Sequence, residues 1–284
     1  MIILNERKYA EQCIENGDLG EKPNITLKII AKYLYHIQGY KKKKIYSYLV
    51  KYMENNYPRY IKDKTSWDNT IEKIAGIAGK SPLYEDSEIR ITEKEISVIN
   101  DLEHSKEHKM VIFTLLCLAK LKNQRVQKNN GWVNNSSEEI FKLAHITTTP
   151  LRREEIIGDL LICGLVEQAK NIENLNLRVT FIDDEGKTLL KIDDFRELGY
   201  RYLQYLGENI IPCKNCGLLI RSSHNNLRKY CNDCSGYQLK IFKTVVCVDC
   251  GKQFRINGNN KRTKRCNMCQ EKHIREYDRI RKQK

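Results

Sequence analysis

Eight cysteines near the C-terminal end of the sequence stand in four Cys-x-x-Cys pairs: Cys213/Cys216, Cys231/Cys234, Cys247/Cys250 and Cys266/Cys269. Two thiolates three residues apart around a tight turn can converge on one ion, and a second pair completes a tetrahedron. The first pair of each unit runs into glycine, CKNCG and then CVDCG, which frees the backbone for such a turn. Fourteen and fifteen residues separate the pairs within the units, and Cys213 to Cys247 is a step of 34, so one small unit occurs twice. Sequential pairing is expected over cross-bracing, because each unit carries its own knuckle and its own closing pair.

About 30 residues cannot hold themselves together by apolar burial alone. Metal ligation replaces the missing core, with apparent zinc binding of about 10–16 kcal/mol in small structural sites. Two structural Zn²⁺ ions are expected, each with four thiolates and no open coordination position. Disulfides and a four-thiolate iron site are the alternatives. The opening MIILNERK lacks the basic-then-apolar layout of a signal peptide, which speaks against disulfides.

Charge is concentrated in the same segment. The chain of 284 residues carries a formal +14, and residues 211–284 hold 18 basic against 5 acidic side chains, or +13. Two zinc centres of four thiolates at −2 each bring that module to about +9, still the footprint of a polyanion binder. Its basic residues fall between and after the cysteine pairs: Arg221, Arg228 and Lys229 in the first unit, then Lys252, Arg255, Lys261, Arg262, Lys264 and Arg265 in the second. After Cys269 the sequence QEKHIREYDRIRKQK reads as a basic helix with Lys272, Arg275, Arg279, Arg281, Lys282 and Lys284. Tyr230, Phe254 and Tyr277 are expected to fill the small core around the metals rather than stack on bases. A knuckle, a hairpin and a second ligand pair at a helix start resemble zinc-ribbon and treble-clef domains over about residues 211–284. That resemblance specifies metal but not partner.

The elements that precede the module are mainly helical. HKMVIFTLLCLAKLKNQ is apolar at helical spacing and is expected to be a buried helix; its most apolar stretch, Met110–Ala119, is about half a bilayer crossing. Ser136–Glu139 is a capping box opening a second helix, SSEEIFKLAHI. Thr147–Pro150 breaks it, and Pro150 suits the first turn of a third, LRREEIIGDLLICGL, ended by Gly164. LVEQAKN and LNLRVTFID follow as extended runs around a polar turn at 171–174. This order resembles a winged helix-turn-helix domain. The resemblance implies that the third helix reads DNA through Thr148, Thr149, Arg152 and Arg153, with a wing at Lys170–Arg178 touching phosphate; Glu154, Glu155 and Asp159 on that helix oppose such an approach.

Residues 22–100 read as helices, with Thr92–Glu95 capping one, and Tyr33, Tyr35, Tyr46, Tyr48 and Tyr52 are expected half-buried. Lys41–Lys44 reads as a solvated turn. The run LLKIDDFRELGYRYLQYLGE gives a strand and a helix before a boundary at Ile211-Pro212. The expected architecture is mainly α with small β elements: a helical N-terminal region (1–104), a winged-helix-like domain with an extra strand and helix (105–210), and two four-cysteine zinc units (211–245 and 246–284), the second with the basic helix.

Catalytic signatures are missing. The sequence has no GxxxxGK[ST], HExxH or GxSxG, and its six histidines are read as forming no metal or triad pattern. His224-Asn225-Asn226 suggests an HNH nuclease but lacks a partner for its histidine. Cys13, Cys117 and Cys163 are expected in the core. The expected protein is a soluble, non-enzymatic nucleic-acid binder of the bacterial cytoplasm. DNA is the expected polymer ahead of RNA, and transcriptional regulation the expected role. Lys/Asn/Ile-rich usage and domain order resemble phage and prophage proteins of low-GC Gram-positive bacteria. The competing class docks its basic module on a host protein or ribonucleoprotein, such as a polymerase or a nucleic-acid-guided defence effector.

Overall fold

In the computed structural model, residues 2–20, 22–57, 60, 63–169, 175–222, 228–235, 242–257 and 263–282 are described. They cluster into two compact units, Met1–Ile210 and Ile211–Lys284. The first begins with α1 (Glu6–Asn16), α2 (Pro23–His36), α3 (Lys42–Asn56) and α4 (Lys64–Ile77). Apolar residues at helical spacing close one core among them: Ala10, Leu27, Ile30, Ile45, Leu49, Met53, Ile71 and Ile74. Tyr52 is buried, and its one hydroxyl proton is shared between the carbonyls of Cys13 (2.6 Å) and Asp18 (2.7 Å). Tyr33, Tyr46 and Tyr48 pack against that core, whereas Tyr35 is exposed. In the lysine run, Lys42 pairs with Glu72 at 2.9 Å and Lys44 lies 3.7 Å over the Tyr40 ring.

The chain then forms β1 (Ile89–Thr92), α5 (Glu93–Asn100), α6 (Lys106–Arg125), β2 (Trp132–Val133), α7 (Ser137–Leu143), α8 (Pro150–Ile162), β3 (Val166–Gln168), β4 (Leu177–Val179), β5 (Thr188–Ile192) and α9 (Leu198–Tyr205). α6 is buried without a break from Met110 to Leu121 and packs against α9, α7, α8, α5 and β1. Helices apolar on all sides sit inside a domain or a membrane; among the described residues no helix is long and apolar enough to cross a membrane. Three short strands make an antiparallel sheet in the order β2-β4-β3, with Trp132 opposite Arg178 and Val166 opposite Val179. The connection at 170–174 lies outside the described residues.

Residues on either side of position 104 are bound together in this unit. β1 pairs antiparallel with β5, Ile89 opposite Ile192. The Thr92 capping box on α5 forms in both directions. Its Glu95 is fully buried and accepts from Lys120 Nζ of α6 and from the Asp183 N–H, each at 2.8 Å. Removing one partner of a buried pair leaves an uncompensated charge. Lys120→Met is therefore expected to destabilise the unit by about 3–5 kcal/mol, measured as a lowered urea midpoint.

Besides the exposed Tyr35 and the strand β1 within residues 22–100, which the sequence read as helical, two further local expectations change. At α7, Ser136 accepts from the Glu139 N–H at 3.2 Å, but the Glu139 carboxylate accepts from the Asn135 amide at 2.8 Å instead of closing the box. Cys13 and Cys117 are buried, but Cys163 is exposed. The apolar spacing Ile156, Ile157, Leu160 runs on to Cys163, yet α8 ends at Ile162 and burial ends with Leu160, so Ile162, Cys163 and Gly164 protrude.

The second unit holds β6 (Ile210–Pro212), β7 (Leu219–Arg221), β8 (Phe242–Val246), β9 (Gln253–Asn257) and α10 (Asn267–Lys282), with β6 paired to β7 and β8 to β9.

Candidate functional site

Each hairpin carries a Cys-x-x-Cys knuckle at its turn. Cys213–Cys216 joins β6 to β7, and Cys247–Cys250 joins β8 to β9, where Val246 pairs with Gln253. The knuckles fold alike because both end on glycine: Gly217 at φ +73 and Gly251 at φ +70, a left-handed conformation costly for any other residue. Gly217 N–H donates to Cys213 O at 2.9 Å, and Gly251 N–H to Cys247 O at 3.0 Å. The same bonds recur one unit later: Lys214 N–H to Lys229 O (3.0 Å) becomes Val248 N–H to Lys264 O (3.1 Å). The closing pairs follow suit, with Ser235 N–H on Cys231 O and Gln270 N–H on Cys266 O, both at 2.9 Å. In the second unit this turn is the start of α10.

The eight sulfurs gather into two groups, Cys213/Cys216/Cys231/Cys234 and Cys247/Cys250/Cys266/Cys269, with all ligand atoms of a group within 4.8 Å of one another. Pairing is thus sequential, not cross-braced. Cys216 Sγ and Cys231 Sγ are 3.7 Å apart, as are Cys250 Sγ and Cys266 Sγ. A disulfide needs about 2.05 Å. A tetrahedral ion about 2.3 Å from each sulfur sets an edge of about 3.8 Å, so both groups fit a four-thiolate cation site. Around the first group lie Ile211, Leu218 and Ile220, which form its small core. The aromatic residues do not take that role in full: Tyr230 is 41% and Tyr277 63% exposed, with Phe254 half-buried. Aliphatic side chains next to the knuckle fill the space first.

Backbone N–H groups prepare one sulfur in each group for metal. Burial opposes ionisation of Cys213, but N–H donors of Cys216, Cys231 and Asn215 outweigh it and lower its pKa to about 6. The Cys266 N–H, 3.3 Å from Cys247 Sγ, does most to lower Cys247 to about 6. Cys234 accepts from the Asn215 amide at 3.3 Å, which favours its thiolate, but hydrogen bonds with the Cys231 and Cys216 sulfurs and burial push it up to about 12. The Cys250 and Cys266 sulfurs push Cys269 up to about 12 in the same way. Sulfurs this close hold protons unless a cation takes their place. Loading at neutral pH must expel at least the Cys234 and Cys269 protons, so apparent zinc affinity should rise with pH. It should fall more steeply below about pH 6, where Cys213 and Cys247 are protonated too. Competition with a chromophoric chelator from about pH 5 to 8 checks this; a flat profile contradicts thiolate ligation.

The candidate phosphate contacts fall into two sets. In the second unit Arg221, Lys229, Lys264, Lys272, Arg275, Arg279 and Arg281 are exposed, with Arg228 half-buried. Arg265 is held at 2.8 Å by Asp249, the counterpart of Asn215. Lys272, Arg275 and Arg279 share one stripe of α10, and Ile274, Tyr277 and Ile280, all exposed, lie on the other side. Arg255 lies in β9 and Lys282 ends α10, while Lys261, Arg262 and His224-Asn225-Asn226 fall outside the described residues.

In the first unit Thr148, Thr149, Arg152 and Arg153 gather at the start of α8. Thr149 is its N-cap, accepting from the Arg152 N–H at 3.3 Å. Arg152 pairs with Glu155 at 3.0 Å and Glu107 at 3.7 Å, and Arg153 reaches the Thr148 carbonyl at 3.4 Å. On β4, Arg178 pairs with Glu167 at 3.1 Å. Asn215 and Asp249, the knuckle side chains that bind a ligand sulfur or a neighbouring arginine, carried no sequence signal beyond their place inside CxxC. No family model, curated protein or solved structure matches this chain, and the two cysteine centres stand on their own geometry.

Proposed function

We propose that the chain is a non-enzymatic nucleic-acid-binding protein whose C-terminal unit is stapled by two structural zinc ions and grips phosphate. The observation that carries this reading is the coincidence of the two four-cysteine groups with +13 of the chain's +14 formal charge in 74 residues. A zinc-ribbon or treble-clef character is supported by knuckles at hairpin turns and by Cys266 and Cys269 flanking the start of α10. Exposed Tyr230 and Tyr277 offer faces for base stacking.

The order α6, β2, α7, α8, β3, β4 with the sheet β2-β4-β3 supports a winged helix-turn-helix reading of the middle of the chain. In that reading α8 supplies any sequence preference and the basic unit supplies affinity. A DNA-binding transcriptional regulator of the bacterial cytoplasm, of phage or mobile-element origin, is the role this combination fits.

One set of observations favours a protein partner instead. Arg152 and Arg178 are already paired with carboxylates, and α10 exposes Ile274, Tyr277 and Ile280. Those features suit docking on a host protein or ribonucleoprotein complex. Capture of the tagged full chain from its host, with and without nuclease, separates the two. Nucleic-acid binding predicts retained DNA or RNA and partners lost on digestion. A protein complex unchanged by nuclease, with no retained polymer, contradicts it.

A further inference from the structure

Four side chains that the four-thiolate centres do not use meet on one patch of the first unit. His104 precedes α6 and His108 stands in its first turn, while Asp159 and Cys163 lie one turn apart at the C-terminal end of α8. One ligand atom each from His104, His108 and Asp159 lies within 4.8 Å of the others. His108 Nε2 is 2.9 Å from Asp159 Oδ2, and Cys163 Sγ is 3.3 Å from His104 Nε2. The two imidazole rings are 4.7 Å apart. The histidines therefore do form a metal-type pattern, contrary to the sequence expectation. Its trace was the matching four-residue steps, His104 to His108 and Asp159 to Cys163.

We propose that His104, His108 and Asp159 form a third metal site, for a borderline divalent transition ion of the Zn²⁺ or Co²⁺ class, with Cys163, in contact with His104 but outside that compact group, turning in as a fourth ligand. Two imidazoles, a thiol and a carboxylate are the mixed donor set that such ions take, whereas Mg²⁺ and Ca²⁺ take oxygen. A Cys–His dyad alone would also suit a thiolate nucleophile; two further ligands on the same spot favour a cation.

The first ligand is already oriented. His108 is 3% exposed, and its Nδ1 lies 2.8 Å from Ser105 Oγ. Ser105 is the N-cap of α6, yet its side chain caps no helix N–H. Such a cap is normally worth about 1 kcal/mol; here the hydroxyl holds the imidazole ring and leaves Nε2 facing Asp159. Hydrogen-bond partners of this kind fix the tautomer of metal-bound histidines.

Tetrahedral zinc sets N···O edges of about 3.4 Å and N···S edges of about 3.6 Å. The observed 2.9 Å (His108–Asp159) and 3.3 Å (His104–Cys163) are slightly tighter, so those pairs spread by a few tenths of an ångström, while the exposed Cys163 side chain turns toward His108 and Asp159 to complete the set. The ion takes the place of the proton between His108 and Asp159: the neutral ring changes tautomer, its single proton passing from Nε2 through solvent to Nδ1, which then donates to Ser105 Oγ, and Cys163 gives its thiol proton to solvent. Exposure of His104 and Cys163 keeps this site in exchange with solvent, unlike the closed four-thiolate centres. Once bound, the ion ties the segment before α6 to the end of α8.

The test is a Co²⁺ titration of the full, zinc-loaded chain, with retained zinc counted by native mass spectrometry. A third equivalent should bind with tetrahedral d–d bands and a thiolate-to-cobalt charge-transfer band. Even hydrogen-bond partners of ligands are worth about 10–100-fold in affinity. His104→Ala and Cys163→Ser, both at exposed positions, should each weaken the third equivalent by at least that much, and Cys163→Ser should remove the charge-transfer band. The third equivalent should persist in the Cys247→Ser/Cys250→Ser chain, which separates this site from the four-thiolate centres. Saturation without a third ion, or a third ion unaffected by both variants, overturns the proposal.

Discussion

On the proposed reading of the two four-cysteine groups as structural zinc sites, replacing Cys247 and Cys250 together with serine is expected to cost the chain one metal ion and to unfold the second four-cysteine unit. The reason is a matter of magnitudes. Among the described side chains of this unit Val246, Val248, Met268, Ile274, Tyr277 and Ile280 are all exposed, so their burial contributes little. A structural zinc site supplies about 10–16 kcal/mol, as much as the whole stability of an ordinary domain, about 5–15 kcal/mol. β8, β9 and the start of α10 should therefore become protease-sensitive together, while Met1–Ile210, with its own cores, stays folded. Metal counting on chelator-washed protein and limited proteolysis read both effects. Two retained structural ions, or an unchanged digestion pattern, would refute metal as the staple of this unit.

The second large effect is expected in salt. Every phosphate neutralised releases counterions, so affinity for duplex DNA falls with a log–log slope of about −0.9 per contact, and about −0.7 on single strands. If six to ten of the basic side chains of residues 211–284 reach phosphate, affinity drops by about 10³–10⁵ between 50 and 200 mM salt. Arg265 is committed to Asp249, so the slope is expected to come chiefly from Lys229, Lys264 and the α10 stripe of Lys272, Arg275 and Arg279. Reversing Arg275 and Arg279 to glutamate should flatten the slope by about two contacts without touching the cysteine centres. A salt-independent affinity would mean that the charge only keeps the unit in solution.

The cysteine centres were legible because metal chemistry is written locally: CxxC followed by glycine fixes a knuckle within five residues. The Thr92–Glu95 box and α6 were legible for the same reason, since capping and apolar spacing act over one or a few turns. Pairings across the chain were not. β2 is two residues long and has no period to detect, and β1 finds β5 about a hundred residues later. Cys163 followed the apolar spacing of α8 but fell beyond its last buried turn. The grouping of His104 and His108 with Asp159, and the contact of Cys163 with His104, need α6 and α8 packed side by side, which no local pattern announces. Glu95 read as a capping residue, yet its larger role, as the buried partner of Lys120, depends on a helix 25 residues on.

The most direct measurement is the anisotropy of a labelled random-sequence duplex titrated with the full chain at moderate salt, first zinc-loaded, then chelated, then zinc-restored. Zinc-dependent grip on phosphate predicts tight binding, loss of binding and recovery in that order. Equal binding by the loaded and the chelated chain would contradict it.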